Sequence, residues 1–187
     1  MAEQTQSGKK PKRFRKAIQE FIPVFLGVVL ALFFENLNEA RIDQNKINGL
    51  LDKIELGTEK NIESLNLQLE RNQMVIDSLK AYQFDTGKRI GDVLSLTKGI
   101  RHIQFDLAAW NVLKSSELLV DVDYDLVSYL YLLSESVAQS TDLAVNYNSP
   151  EPAIKEELIS DMEDYMVTIN DHKYMSEQIL KLLKEKK

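Results

Sequence analysis

The sequence predicts an all-α protein: one membrane-spanning helix near the N-terminus, then a helical stalk and an antiparallel helical bundle. Glycine and proline are few, seven and four in 187 residues, which favours long helices over turn-rich β structure. An uncharged apolar run, FIPVFLGVVLALFF, occupies residues 21–34. Beyond it, apolar residues recur at steps of three and four, which is the period of an amphipathic helix.

Charge separates the N-terminus from the rest of the chain. The net charge is −6, yet residues 1–20 carry six positive side chains against two negative ones. The six are Lys9, Lys10, Lys12, Arg13, Arg15 and Lys16. A basic segment directly before an apolar span is retained in the cytoplasm. We therefore expect residues 1–16 to be a basic cytoplasmic tail that contacts anionic lipid headgroups rather than nucleic acid.

The apolar run predicts a transmembrane helix over residues 17–37 of a bacterial inner-membrane protein. The run alone covers about 21 Å, but the extended segment reaches the roughly 30 Å of a bilayer core. A cleaved signal peptide is disfavoured because Leu32, Phe33 and Phe34 continue the run beyond the small residue at Ala31. A surface helix would need a polar stripe, and a buried core helix is the remaining alternative. Gly27 and Ala31 form a small-x-x-x-small pair that predicts close packing against another membrane helix.

A long amphipathic helix, the stalk, is predicted over residues 38–81. Its apolar positions are Leu51, Ile54, Ile62, Leu65, Leu69, Ile76 and Leu79. Gly49 and Gly57 each weaken it by about 1 kcal/mol relative to alanine. Residues 84–99 hold three glycines, and this composition predicts a loop with one short helical turn.

Three further helices are predicted, over residues 106–116, 123–147 and 152–185. Asp106 can cap the first, Pro150 and Pro152 end the second, and lysines suit the C-terminus of the last. Each helix has one apolar face, so residues 38–187 are expected to form an extracytoplasmic, periplasmic bundle.

The search for chemistry predicts no catalytic residue, no cofactor and no metal site. Asp121, Asp123 and Asp125 copy the start of a calcium loop, but the glycine and glutamate that such a loop needs are missing. Gly87–Lys88 lacks the rest of a phosphate-binding loop. The two histidines, His102 and His172, share no ligand spacing, and His172 follows carboxylates that are typical of a solvated helix face.

Two stretches resemble an uncharacterised family of small bacterial single-pass, membrane-anchored helical proteins, a domain of unknown function. They are LGVVLAL at 26–32 with ENLNE at 35–39, and AWNVLKSS at 109–116. Leu37 departs from the pattern, because an aromatic residue is common there and would anchor the interface more firmly. The resemblance implies a membrane anchor, a stalk and a downstream tryptophan segment, and it implies no reaction.

Within that segment, Trp110 has the spacing of a core residue, and an alternative is a groove where Trp110, Ser115 and Ser116 meet a partner or ligand. The sequence thus favours a membrane-anchored module that binds another envelope protein, or itself, as an accessory or scaffold subunit. An alternative is a ligand-sensing bundle that signals through a partner, since residues 1–16 are too few for a signalling domain. An enzyme is the third and least favoured class.

Overall fold

The computed structural model describes residues 12–82, 91, 92, 94, 104–147 and 155–185, with side chains in 21–82, 91, 92, 94, 104–140 and 155–185. Four α-helices and one 3₁₀ helix account for nearly all of these residues, and none of them is in a strand. The helices are α1 (Lys12–Ala81), α2 (Ala108–Lys114), the 3₁₀ helix (Glu117–Asp121), α3 (Tyr124–Tyr147) and α4 (Lys155–Glu185). The predicted all-α class is confirmed.

The helix bounds differ from the predicted segments mainly in α1. The segments predicted over 17–37 and 38–81 belong to one continuous helix, with Pro23 inside it. The segments predicted over 106–116, 123–147 and 152–185 contain α2, α3 and α4, each shorter at its start. Of the predicted loop, only Gly91, Asp92 and Leu94 are described, and all three are helical. The 3₁₀ helix was not predicted.

The chain divides into two compact units, residues 1–46 and residues 47–187. In the first unit, α1 carries the predicted apolar run, and its side chains are exposed throughout residues 21–34. Among the described residues this is the one helix that is long and apolar enough to cross a membrane, and none of its apolar window is buried inside the protein. A long apolar N-terminal helix is therefore confirmed.

The second unit has two apolar clusters. The first joins α1 to α4, and we call it the Met162 cluster; its buried members are Leu65, Val75, Ile76, Leu79, Tyr82, Leu158, Met162, Tyr165 and Ile169. The second joins all four α-helices, and we call it the Trp110 cluster; its buried members are Ile54, Trp110, Leu113, Leu126, Leu130, Leu133, Ile179 and Leu183. Both clusters form because each helix buries the face on which its apolar residues recur.

Two surface ion pairs match α1 to α4 along their lengths. Lys80 Nζ lies 2.7 Å from Glu163 Oε1, and Lys184 Nζ lies 3.2 Å from Glu59 Oε1. The same number of residues separates the two pairs on each helix: they lie at 59 and 80 on α1, and at 163 and 184 on α4. Exposed pairs of this kind contribute little stability. They do show which residues of the two helices lie side by side.

The segment before α2 is fixed to α1 by hydrogen bonds between a side chain of α1 and the backbone of that segment. Asn61 Oδ1 accepts a hydrogen bond from the Asp106 N–H at 2.8 Å, and Asn61 Nδ2 donates to the Asp106 carbonyl oxygen at 3.4 Å. A Cβ atom on Gly57 would lie 3.1 Å from the same oxygen. Gly57, which was expected to weaken the helix, thus allows the Asp106 backbone to approach α1 closely.

Candidate functional site

A layer of polar side chains is the main chemical feature of the second unit. We define the polar layer as Gln68 and Asn72 of α1, Ser136 of α3, and His172 and Ser176 of α4. The two ion pairs place residue 80 of α1 beside residue 163 of α4, and residue 59 beside residue 184. Counting between them, His172 lies within one residue of the level of Asn72, and Ser176 lies within one residue of the level of Gln68. All but the half-buried Ser136 are buried. A polar layer inside a helical core is costly unless its groups are paired.

His172 joins α4 to its neighbours. Its Nε2 atom lies 2.8 Å from Ser136 Oγ, and its ring meets the Phe105 ring edge-on with centroids 5.4 Å apart. Burial lowers the pKa of His172 below its ordinary 6.5, although a hydrogen bond with the Ser136 backbone and the charge of Asp171 act in the opposite direction. The folded protein therefore favours a neutral imidazole at this position.

Two groups of the polar layer have no partner within the described residues. Gln68 Nε2 donates to Asn72 Oδ1 at 3.0 Å, which leaves the Asn72 Nδ2 group without an acceptor. Ser176 Oγ is equally unpaired, and both residues are 0% exposed. An unpaired buried group costs about 1–3 kcal/mol. Each of these two donors could pair with an oxygen atom of a small molecule.

The Ser136–His172 pair has the spacing of a nucleophile and its base, but its setting does not suit acyl transfer. Ser136 lies in the middle of α3, where neighbouring backbone N–H groups are used by the helix and cannot form an oxyanion hole. Within the described part of the chain, no carboxylate is hydrogen-bonded to the imidazole to orient it. The pair is suited to joining two helices, and the absence of enzymatic activity stays a prediction.

The structure places the three residues of the predicted groove in different environments. Trp110 is 1% exposed in the apolar cluster named after it, and its Nε1 group has no partner among the residues described. Ser115 is exposed and donates to the Asn111 carbonyl oxygen at 2.7 Å, and the half-buried Ser116 donates to that of Leu113 at 2.8 Å. Both hydroxyls thus bond to carbonyls at the end of α2. That this segment meets a partner stays a prediction.

The residues predicted to act at the membrane lie in or before the first part of α1. Gly27 and Ala31 are exposed and one helical turn apart, and a Cβ atom on Gly27 would meet nothing within 4 Å. Lys12, Arg13, Arg15 and Lys16 lie in α1, but their side chains are outside the described residues. Lys9 and Lys10 lie outside them altogether. Membrane packing and lipid contact therefore stay predictions.

The aspartates that copy a calcium loop belong to a helix start. Asp121 ends the 3₁₀ helix, Asp123 Oδ1 accepts a hydrogen bond from the Leu126 N–H at 3.1 Å, and Asp125 lies in the first turn of α3. This is the geometry of an N-cap. Across the described ranges, no three histidine or carboxylate side chains are grouped as metal ligands would be. His102, Gly87 and Lys88 lie outside these ranges.

Sequence reasoning missed the polar layer because it followed apolar residues alone. The buried face of α1 keeps its steps of three and four through Thr58, Asn61, Gln68 and Asn72. A search for polar residues at the core positions of the same period would have found them. The carboxylates before His172 predicted a solvated face, and Glu163, Asp164 and Asp171 are exposed, but His172 itself is buried.

Comparisons with known proteins give no further guidance: no family model, no curated protein and no solved structure matches the chain.

Two serine substitutions test the pairing within the polar layer. Ser136→Ala leaves His172 Nε2 buried without its partner, and we expect it to lower the free energy of unfolding by about 1–3 kcal/mol. Ser176→Ala removes a hydroxyl that has no partner, and we expect a change between zero and a gain of about 1 kcal/mol. Chemical denaturation of both variants in the same detergent measures the difference. A large loss from Ser176→Ala would show that its hydroxyl is paired after all.

The His172 imidazole makes stability depend on pH. Because its pKa is lower in the folded chain, the unfolded chain binds more protons as pH falls below about 6.5. The free energy of unfolding should therefore be highest above that pH and should decrease as pH falls through the folded pKa. Denaturation at pH 7.5, 6.5 and 5.5 should give a shallower dependence for His172→Gln than for the native chain. His102→Gln is the matched control, and equal slopes for both variants would contradict this assignment.

Proposed function

We propose that the protein is a single-pass membrane tether whose helical domain binds another envelope protein as an accessory or scaffold subunit. In this proposal residues 17–37 span the bacterial inner membrane, residues 1–16 lie in the cytoplasm, and residues 38–187 lie in the periplasm as an antiparallel bundle. The chain performs no reaction of its own in this role.

The exposed apolar run of α1 carries the proposal. Its eleven large apolar side chains, between Phe21 and Phe34, are each 43–65% exposed. Leaving them in water would cost on the order of 10 kcal/mol, since burying one such side chain contributes about 1.5–3 kcal/mol. In the described part of the first unit no other element covers them, and a lipid bilayer is the environment that would.

The orientation rests on charge. The basic residues lie directly before the run, and cytoplasmic flanks of membrane helices are the ones enriched in lysine and arginine. The same positive side chains suit contact with anionic lipid headgroups. The chain would then carry everything after residue 37 across the membrane.

Two features support partner binding over other roles. The second unit has its own buried clusters, so it can present a defined surface, and the described residues show no catalytic constellation. The resemblance to a family of membrane-anchored helical proteins fits the same architecture and is part of this proposal. Gly27 and Ala31 would add a contact within the membrane, with a partner helix or a second copy.

Protease accessibility tests the topology. A C-terminal tag should be resistant in intact cells and digested once the outer membrane is permeabilised, with the uncleaved chain in the membrane fraction. A tag that stays protected while the inner membrane is intact would place the helical domain in the cytoplasm. A chain that fractionates as a soluble protein would remove the tether itself. A cytoplasmic protein and a periplasmic protein serve as controls for each compartment.

A second candidate function is ligand sensing, and the polar layer favours it. Asn72 Nδ2 of α1 and Ser176 Oγ of α4 are buried donors without partners among the described residues, and Ser176 lies more than one helical turn from the level of Asn72. A ligand with two acceptor oxygens would satisfy both. A sensor of this kind would signal through a partner.

Small carboxylates and amides test this second function, because each carries acceptor oxygens. Their binding should raise the melting temperature of the native chain in detergent, since a ligand at a hundred times its Kd adds about 2.7 kcal/mol. The double variant Asn72→Leu with Ser176→Ala should lose that shift. Thermal shifts of equal size in both proteins would show that the solutes act elsewhere.

A further inference from the structure

One exposed surface of the second unit has the composition of a protein interface. Val120 of the 3₁₀ helix is 85% exposed and Tyr124, at the start of α3, is 81% exposed. Tyr131 and Leu132 of α3 are also exposed, by 48% and 53%. We call these four residues the Tyr face. Tyrosines are enriched where proteins bind one another.

Helical geometry places the two tyrosines of the Tyr face on one side of α3. Tyr124 and Tyr131 are seven residues apart, which is about two turns, so they lie on the same side of α3. Leu132 follows Tyr131, and the 3₁₀ helix that holds Val120 ends at Asp121, just before α3 begins. These elements belong to one compact unit.

The rim of the Tyr face is acidic. Glu117 and Asp121 lie on either side of Val120, Asp125 follows Tyr124, and Glu135 lies one turn beyond Tyr131; all four are exposed. The sequence of α3 contains no lysine or arginine. Among the described residues, one positive side chain is seen to contact this surface: Lys114 Nζ lies 4.6 Å from the centre of the Tyr131 ring and 3.7 Å from Glu135 Oε1. The rim keeps a net negative charge.

The charge of the rim decides between possible occupants. A second copy in a symmetric dimer would bring a second set of the same four carboxylates into the interface, and this doubled negative charge opposes association. An anionic lipid surface is opposed for the same reason. The basic residues of the N-terminal tail would lie across the membrane in the proposed topology. A protein that surrounds an apolar side chain with lysine or arginine complements the surface.

We propose that the envelope partner docks on the Tyr face, and that it is a different protein which presents an apolar side chain within a basic surface. This inference rests on the proposed function, because it names the surface and the chemistry of the partner. The tyrosines would provide the buried contact, and the carboxylate rim would steer the basic partner and set its specificity.

Site-specific photocrosslinking of the full chain in its native membranes tests the Tyr face. A benzophenone amino acid replaces Tyr124 in one variant and Leu67 in another; Leu67 is 61% exposed on α1 and serves as the matched control. We expect a heterologous adduct from position 124 and none from position 67. Mass spectrometry should find the adduct on a partner segment that is rich in lysine and arginine.

Charge reversal supplies the second arm of the experiment. Glu117→Lys with Asp121→Lys should reduce the adduct yield at position 124 by at least about fivefold, because a basic partner would meet like charge. Glu63→Lys with Glu70→Lys makes the same change of charge on exposed α1 positions. This control should leave the yield within about twofold. Circular dichroism verifies that both double variants are folded.

Each other outcome has a defined meaning. An adduct at twice the mass of the chain would identify a second copy and overturn the proposal, as would a partner segment rich in acidic residues. Adducts from position 67 alone would reject the Tyr face and leave partner binding in place. No adduct from either position, from a chain whose tag has the expected topology, would reject the Tyr face while preserving the tether. Equal yields in the two charge variants would also contradict the proposal.

Discussion

The second unit depends on one buried seam of α1, which takes steps of three and four residues from Ile54 to Leu79. Such steps keep successive side chains on one side of a helix, so the seam can meet α4 over their matched length. Its two ends are apolar and enter the Trp110 and Met162 clusters. Between the ends, Leu65 is flanked by the polar residues Thr58 and Asn61 on one side and Gln68 and Asn72 on the other. The Asn61 side chain fixes the Asp106 backbone to the same face. The seam therefore also holds the segment that leads into α2.

The composition of the seam explains how much of the fold the sequence could predict. Leu65, Ile76 and Leu79 were predicted from apolar periodicity and are buried. The same period fills neighbouring core positions with amides and hydroxyls, and a search for apolar residues cannot detect them. His172 shows the difficulty most clearly, because its carboxylate neighbours predicted a solvated face although the imidazole itself packs on Phe105. The 3₁₀ helix was missed for another reason: a five-residue element has too few positions to show a period.

The polar layer makes the core less stable than an apolar one would be, and more specific. Hydrogen bonds such as Ser136–His172 and Gln68–Asn72 require that α3 and α4, or successive turns of α1, be placed within a few tenths of an ångström. Apolar side chains tolerate sliding along a helix, whereas a buried polar group that slides loses its partner at a cost of about 1–3 kcal/mol. The Ser136–His172 bond can therefore fix which residues of α3 and α4 lie at the same level. The polar layer also leaves Asn72 and Ser176 with unused donors, and these are the groups through which a small molecule could stabilise the folded state.

Two exposed apolar surfaces of the chain differ in chemistry, and the difference separates their roles. The run from Phe21 to Phe34 contains no charged residue and is apolar all round its helix, which suits lipid because hydrocarbon can solvate no polar group. The Tyr face carries tyrosine hydroxyls and is bordered by four carboxylates, which lipid would exclude and a protein can pair. A carboxylate rim also opposes self-association through the same surface, since a two-fold contact brings two copies of its net negative charge into one interface. In such a chain the Tyr face would stay in water until it binds a basic partner. The apolar run would hold the chain in the membrane, near that partner.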